Sequence, residues 1–383
     1  MTKKSKPHVL IVGGGIMGTS AALELALQGA RVTVLEKALP GAEASSAAAG
    51  ILGAEIENAD PGPMLDLCRK SQALYPAWVE FIERESGVPV GLEAGGALEL
   101  ASSKAELARL AKRRAHQLGE GRAQLLGKRE LSRLEPRLSR DLAGAIFFPG
   151  DRRVVPPALF RAVHLAALAH GVEFRTGRHA TKVVTETKRG RGTRAGEVRA
   201  RGIELDDESI VLADVTVVAA GSWTSLLSGL SLERGAIVPA RGQLVELDLG
   251  APRLHRVAVG AGVYLIPRAD GRLLVGSTLE FVGYQKAVTA AGLHHLLGGA
   301  LSVMPELAGA EVTRSWSNFR PYTRDHLPLL GSPGISDLIV ASGHYRNGIL
   351  LAPITARIVS ALALKRRPPI ALSAFDPRRT GRG

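Results

Sequence analysis

His8-Val-Leu-Ile-Val-Gly13-Gly-Gly15-Ile-Met-Gly18, followed by an Ala- and Leu-rich stretch to Gln28 and then Arg31-Val-Thr-Val-Leu-Glu36, decides how this chain is read. His8–Val12 reads as a central parallel strand, since its apolar run suits burial on both faces. Met17–Gln28 carries Ala and Leu at helical spacing, Gly29 closes that helix, and Arg31–Leu35 is the second strand. Between strand and helix each glycine has a task. Gly13 permits the tight turn, Gly15 lets backbone reach a pyrophosphate, and Gly18 lets helix and strand pack closely. The helix N-terminus adds amide donors and a positive dipole end for phosphates. Glu36 can accept hydrogen bonds from a ribose diol and would repel a 2′-phosphate. A glycine triplet alone is weak evidence, but inside a strand–helix–strand–Glu unit it predicts a dinucleotide site.

Outward from this unit, the small-residue segment Ala38–Gly53 reads as a linker that could pass against a long cofactor. Residues from about Met64 to Gly119 read as helical, after the break Pro61-Gly-Pro63. Pro156–His170 is a helix entered through two prolines. Val172–Arg175, a charged hairpin-like region and the strand Val215–Ala220 follow it. From Val238 to Leu279 the pattern changes to short alternating strands: Gln243–Leu247, Val263–Pro267 and Arg272–Thr278, the last two joined by the turn Arg268–Gly271. The tail returns to strand Leu338–Ala341, a glycine-bearing loop and a helix from about Ile349 to Lys365. The expected fold class is α/β: a Rossmann-type dinucleotide-binding domain with an inserted substrate domain of antiparallel sheet plus helices. The first domain is expected to be discontinuous, over 1–60, 150–235 and 327–370, and the second to take 61–149 and 236–326.

A chain of 383 residues with 45% apolar and 22% charged content suits two packed domains of one globular enzyme. The single cysteine, Cys68, excludes an intrachain disulfide and a cysteine-rich zinc site. The basic start, Met1–Pro7, leads into a run only a strand long, and no stretch reaches the roughly 18 to 20 apolar residues of a membrane span. A cytoplasmic protein with no membrane partner is therefore expected. The net charge of +13 is scattered, with Lys188–Arg194 reading as a loop and Lys365–Arg367 as a helix end, and aromatics are few. Nucleic acid is thus not expected as a partner. His294-His295 lacks further ligands at useful spacing, so no metal is expected. No Gly-x-Ser-x-Gly elbow or metalloprotease helix supports a hydrolase.

Taken with the glycine turn and Glu36, the runs Ser45–Leu52, Ala219-Ala-Gly-Ser-Trp223 and Gly343-His-Tyr-Arg-Asn-Gly-Ile-Leu-Leu-Ala-Pro353 resemble the D-amino-acid oxidase family of flavoproteins. The last run looks like that family's glycine oxidase branch, associated with thiamine biosynthesis, and the likeness extends from Val9 to about Lys365. It implies non-covalent FAD. Ile16 and Met17 match backbone contacts to pyrophosphate, and Glu36 with Lys37 the ribose pocket. Ser45, Ser46, Ala49, Gly50 and Ile51 match the segment passing the phosphates and flavin. Val183 matches a backbone contact to adenine. His344, Tyr345, Arg346, Asn347, Gly348, Ile349 and Leu350 match the loop and helix start beside the flavin ring. For substrate, Arg346 matches the arginine that clamps the carboxylate, Arg320 a second arginine, and Tyr264 a tyrosine lining the pocket. Gly262 stands where some members of the family place a histidine, and Leu279 where some place a methionine.

From the residues alone, a guanidinium is the group best shaped to hold a carboxylate through two parallel hydrogen bonds. The resemblance implies oxidation of glycine to a 2-oxo acid, ammonia and hydrogen peroxide, with molecular oxygen as second substrate and no side chain needed as catalytic base. Sarcosine or small D-amino acids are the nearest alternatives, and a homo-oligomer is compatible with this reading. An NAD-dependent dehydrogenase and a non-catalytic flavin-binding module are rivals of other classes. Purified protein is expected to be yellow and to release its flavin with heat or acid, because Cys68 lies far along the chain from the 343–353 run. Flavin retained by the denatured polypeptide would exclude this.

Overall fold

A computed structural model describes residues 6–187 and 197–381; the start Met1–Ser5 and the basic stretch Lys188–Arg194 lie outside the described residues. His8–Val12 is the centre of a six-stranded sheet. Val215–Val218 pairs with it on one side and Arg31–Glu36 on the other, both parallel. Leu338–Ser342 and Glu173–Thr176 extend the two sides in parallel, and Leu329–Gly331 closes one edge antiparallel. Successive side chains of a strand point to opposite faces. Val9 and Ile11 accordingly enter a core with the helices Ile16–Leu27, Pro156–Ala169 and Gly348–Ala363. Leu10 and Val12 enter another core beneath the small antiparallel sheet Ile210–Leu212, Val198–Leu205 and Ala180–Thr187. Both faces are covered, which is why this strand reads as an unbroken apolar run.

The second sheet has eight strands in the order Glu311–Tyr322, Val238–Asp248, Arg272–Gly276, Val263–Pro267, Val257–Gly260, Ala97–Ala101, Gly144–Phe148 and Gln124–Gly127. All neighbours are antiparallel except Val257–Gly260 and Ala97–Ala101. Its two faces fill separate apolar cores, one around Leu98, Val245, Leu265 and Val275, the other around Ile146, Phe148, Leu244 and Tyr264.

Two stretches differ from the sequence reading. The region 64–119 is not continuously helical: Pro63–Ser86 ends on Gly87 at φ +68°, and Ala97–Ala101 is a strand before two short helices. Ala, Leu and Glu are good helix formers, yet Gly95-Gly96 precedes this run, and Leu98 and Leu100 alternate with Ala97 and Ala101 between the two cores. Pairing on both sides overrides the local preference. The helix Pro63–Ser86, placed with the second domain from sequence, packs Leu67, Tyr75, Val79 and Ile82 into the core of the parallel sheet. Nor is Ala38–Gly53 a free linker. It contains the single helical turn Ala44–Ala47 and the short strand Ile51–Leu52, which pairs with Arg152–Arg153. Trp316 Nε1 donates to the Ala47 carbonyl (3.0 Å), and buried Arg268 donates to the carbonyls of Ala49 (2.8 Å) and Val154 (2.9 Å).

The helix Gly348–Ala363 contains Pro353, which has no N–H to offer the Ile349 carbonyl four residues back. The hydroxyl of fully buried Tyr75 donates to that carbonyl, and Ser71 Oγ donates to the next one, Leu350 (2.6 Å). Tyr75→Phe should therefore strand a buried acceptor and destabilise the fold by roughly 1–3 kcal/mol. In a Pro353→Ala background the restored N–H should reduce that loss. Denaturant titrations of the four proteins test the coupling, and an equal loss in both backgrounds would refute it.

Candidate functional site

The glycine turn works through contacts that only hydrogen can make. A Cβ on Gly13, which sits at φ +105°, would lie 2.5 Å from the Ala219 carbonyl oxygen, and one on Gly18 would run into the Gly13 carbonyl. Gly18 thus serves strand–helix packing and does not line the cleft, whereas Gly13, Gly15, Ile16 and Met17 do. Glu36 is held over the turn: the amide of Gly14 donates to Oε2 (2.9 Å) and that of Ala38 to Oε1 (3.0 Å). Ser45 Oγ accepts from the Ile16 amide (2.8 Å), so the 44–51 segment is anchored on the helix N-terminus. Lys37 lies 4.1 Å from the ring centre of Trp223, in the Ala219–Trp223 run, which forms the opposite wall.

These elements line one continuous, partly open cleft. Ala49, Gly50 and Ile51 form one wall, with Gly50 at φ +88° pressed against Val154 and Pro156. His344, Tyr345, Arg346, Gly348 and Ile349 face them from the end of strand Leu338–Ser342 and the start of the closing helix. Burial pushes His344 down to about 3, so its ring is neutral, and its Nε2 lies 3.1 Å from Thr355 Oγ1. Four other sequence-derived positions do not reach the wall. Ser46 donates its amide to the Gly41 carbonyl, and Asn347 and Leu350 turn into the protein. Val183 is buried on Ala180–Thr187 with its amide given to the Ser228 carbonyl, and Arg178, His179 and Ala180 line that end instead.

At the far end the eight-stranded sheet supplies the floor. Tyr264 packs over Gly276 on the neighbouring strand, and Arg320 lies over Gly242; a Cβ on either glycine would fall among the atoms of that side chain. Arg320 donates to the Thr278 carbonyl (3.2 Å) and to Ser277 Oγ, and forms no ion pair with a carboxylate among the described residues. Arg346 differs. Its Nε lies 2.9 Å from Glu57 Oε2, and this carboxylate raises the guanidinium pKa, with Tyr345 and Tyr264 adding to the effect. Sequence reading missed Glu57, although it closes the run Gly53-Ala-Glu-Ile-Glu57 directly after the cofactor-facing segment. Gly262 lies in a turn at φ +77° beside the ring of His295, and Leu279 is half exposed; neither lines the cleft. His294 and His295 are exposed on the helix Ala290–Val303.

The chain matches the FAD dependent oxidoreductase family, abbreviated DAO, over residues 8–362, and it belongs to that family. It is 37% identical over 378 residues to the bifunctional protein ThiO/ThiG of Synechocystis, covering 97% of this chain and 54% of that protein. The chain thus spans about half the length of the bifunctional relatives it matches. It is 36% identical to the glycine oxidase of Geobacillus kaustophilus over 376 residues, 96% of each. The crystal structure of that enzyme superposes with a TM-score of 0.89 at 34% identity, covering 98% of this chain and 99% of the other. Iminodiacetate oxidase from Chelativorans superposes at 0.82 with 29% identity, covering 96% and 98%.

FAD is the cofactor of this family, and the residues fit it. Gly13, Gly15, Ile16 and Met17 bring backbone to the cleft at the helix N-terminus, Glu36 stands at the ribose position of such a fold, and the small residues 47–50 leave room for a long planar group. Among the described residues no helix is long and apolar enough to cross a membrane, and no cluster of His, Cys, Asp and Glu could hold a metal ion. Glu36→Ala should lower FAD affinity about ten- to a hundredfold, through lost hydrogen bonds to a charged group. An unchanged dissociation constant for the mutant apoprotein would count against that role.

Proposed function

We propose that this protein is an FAD-dependent amino-acid oxidase whose substrate is glycine. Glycine, water and oxygen are converted to glyoxylate, ammonia and hydrogen peroxide. The carrying observation is Arg320: a guanidinium beside Tyr264 at the end of the cleft, with no carboxylate partner among the described residues. A half-buried cation without a counterion, set in a cleft wall, favours an anionic ligand. Likeness to glycine oxidases supports a small amino acid as that ligand. Kinship with ThiO/ThiG proteins supports a role in thiamine biosynthesis. The single buried cysteine suits a reducing cytoplasm.

The geometry favours Arg320 over Arg346 as the carboxylate clamp. Arg346 spends its charge on Glu57, whereas Arg320 is braced by Ser277 and Thr278 and still faces the cleft. In this reading Arg320 grips the carboxylate in a bidentate pair and Tyr264 fixes its orientation. FAD, when bound, supplies the two-electron oxidant for the substrate Cα–H bond and passes the electrons to oxygen. Neutral His344 and the first-turn amides of the closing helix present dipoles rather than a charge at the cofactor end. No side chain is required to remove a proton from Cα once the amine is bound neutral. The imino acid then hydrolyses in water.

Arg320→Ala should lower kcat/KM for glycine about thirty- to several-thousandfold, the cost of truncating one partner of a buried charged pair. Lys there should recover only part of the loss, because it lacks the planar fork. Methylamine, lacking a carboxylate, should be a poor substrate and indifferent to the change. Oxygen consumption with glycine, sarcosine, D-alanine and methylamine, at matched flavin content, reads these differences. Glycine turnover within a few-fold of wild type in Arg320→Ala would return the clamp to Arg346.

A further inference from the structure

The backbone that carries Glu57 is bolted on both sides by buried polar side chains. Asp151 Oδ1 and Oδ2 accept from the amides of Glu55 (3.2 Å) and Ile56 (2.9 Å). Arg114 donates to the carbonyls of the same two residues (2.9 and 2.8 Å). Gln117 Nε2 donates to the carbonyls of Glu55 (3.0 Å) and Asn58 (3.1 Å), and Asn58 Nδ2 to that of Ala54 (3.0 Å). Asp151, Arg114 and Gln117 are each 2% exposed or less. So many hydrogen bonds within the protein hold one short turn to a single arrangement. The side chain this turn presents to the cleft is Glu57, and the group it meets is Arg346.

Tyr264 lines the cleft with both guanidiniums: it packs over Gly276, next to the Ser277 that braces Arg320, and helps raise the pKa of Arg346. The substrate end therefore holds two cations, Arg320 and Arg346, and one anion, Glu57. With Glu57 ionised, one positive charge is uncompensated, which suits a ligand with one carboxylate. A second acidic group would need Arg346, and would have to displace or face the Glu57 carboxylate. Rejection by a like charge is a usual device of specificity.

We propose that Glu57 is a specificity-determining residue, a built-in counterion that quenches Arg346 and restricts the site to substrates with a single acidic group. This rests on the reading of the cleft as an amino-acid site, but it concerns charge selection and not turnover. The class excluded comprises amino acids carrying a second carboxylate or a phosphonate on the nitrogen substituent or side chain.

Two ligands that lack an amine test this without catalysis: methoxyacetate, with one carboxylate, and diglycolate, with two. Their dissociation constants are read on the flavin-loaded protein from the perturbed flavin absorbance and from titration calorimetry. Wild type should bind methoxyacetate more tightly. E57Q should shift the affinity ratio at least fivefold toward diglycolate, as expected from removing one charge a few ångströms from the second acid. E57Q/R346Q, which restores neutrality without either charge, should return the ratio to the wild-type side of that fivefold line. R346Q alone, leaving Glu57 unpaired, should shift the ratio at least fivefold away from diglycolate, and it tests the idea even if E57Q loses its flavin. A smaller shift in E57Q, or a double variant that keeps the preference of E57Q, would overturn the proposal. Glycine oxidation by wild type is scored separately: its absence would refute the substrate reading while the ratios still decide the role of Glu57.

Discussion

The cleft exists because backbone meets backbone where no side chain fits. Gly18 brings the first helix down onto the carbonyl of Gly13, and Gly13 in turn lies against Ala219 at the end of the neighbouring strand. A methyl group at either position would push the helix off the sheet. With it would go the anchor of Ser45 on the Ile16 amide and the grip of Glu36 on Gly14. The chain runs from His8–Val12 to Arg31–Glu36 on one side and from Val215–Val218 toward Leu338–Ser342 on the other, which opens a crevice at the ends of the two central strands. Position of the cofactor cleft is thus a consequence of strand order and of two missing side chains.

The opposite wall depends on a proline that ought to weaken its own helix. Pro353 releases the Ile349 carbonyl in the first turn of the helix, at the edge of the cleft. Tyr75 and Ser71 take up that carbonyl and its neighbour, and in doing so fasten Pro63–Ser86 across the closing helix. What would be a defect in an isolated helix becomes a point of attachment between segments far apart in the chain. The helix start that faces the cleft is consequently set from behind by a buried hydroxyl.

Sequence patterns disclosed the parallel unit because each of its features is local: an apolar run, a glycine triplet, an acid at a strand end. The strands Gln243–Leu247 and Val263–Pro267 were legible for the same reason, through their alternation. Ala97–Ala101 was not, because its composition favours helix and only partners at 144–148 and 257–260 make it a strand. The segment 38–53 reads as a linker because Trp316 and Arg268, which hold it, arrive from more than two hundred residues away. Arg268 itself read as a turn residue, yet burial lowers its pKa to about 10 and both its hydrogen bonds serve as structural ties. Positions such as Val183 and Ser46, carried over by alignment alone, lie beside the cleft wall without forming it.

The site's charge was the least legible part, for a physical reason. An arginine in a cofactor-facing loop shows where a cation stands but not whether it is already neutralised. Arg346 and Arg320 look alike in sequence, and a guanidinium in either place is the proper shape for a carboxylate. They differ through a glutamate nearly three hundred residues from Arg346, which reaches it only because Asp151, Arg114 and Gln117 lock its turn. Asp151 illustrates what that locking entails: burial pushes its carboxyl up to about 7, although three N–H groups donate to it. A group so unfavourably placed for its own charge holds the turn that sets the charge of the site. Selectivity at this cleft is therefore governed by net charge as well as by the presence of an arginine, and net charge is a property of the fold that no single motif contains.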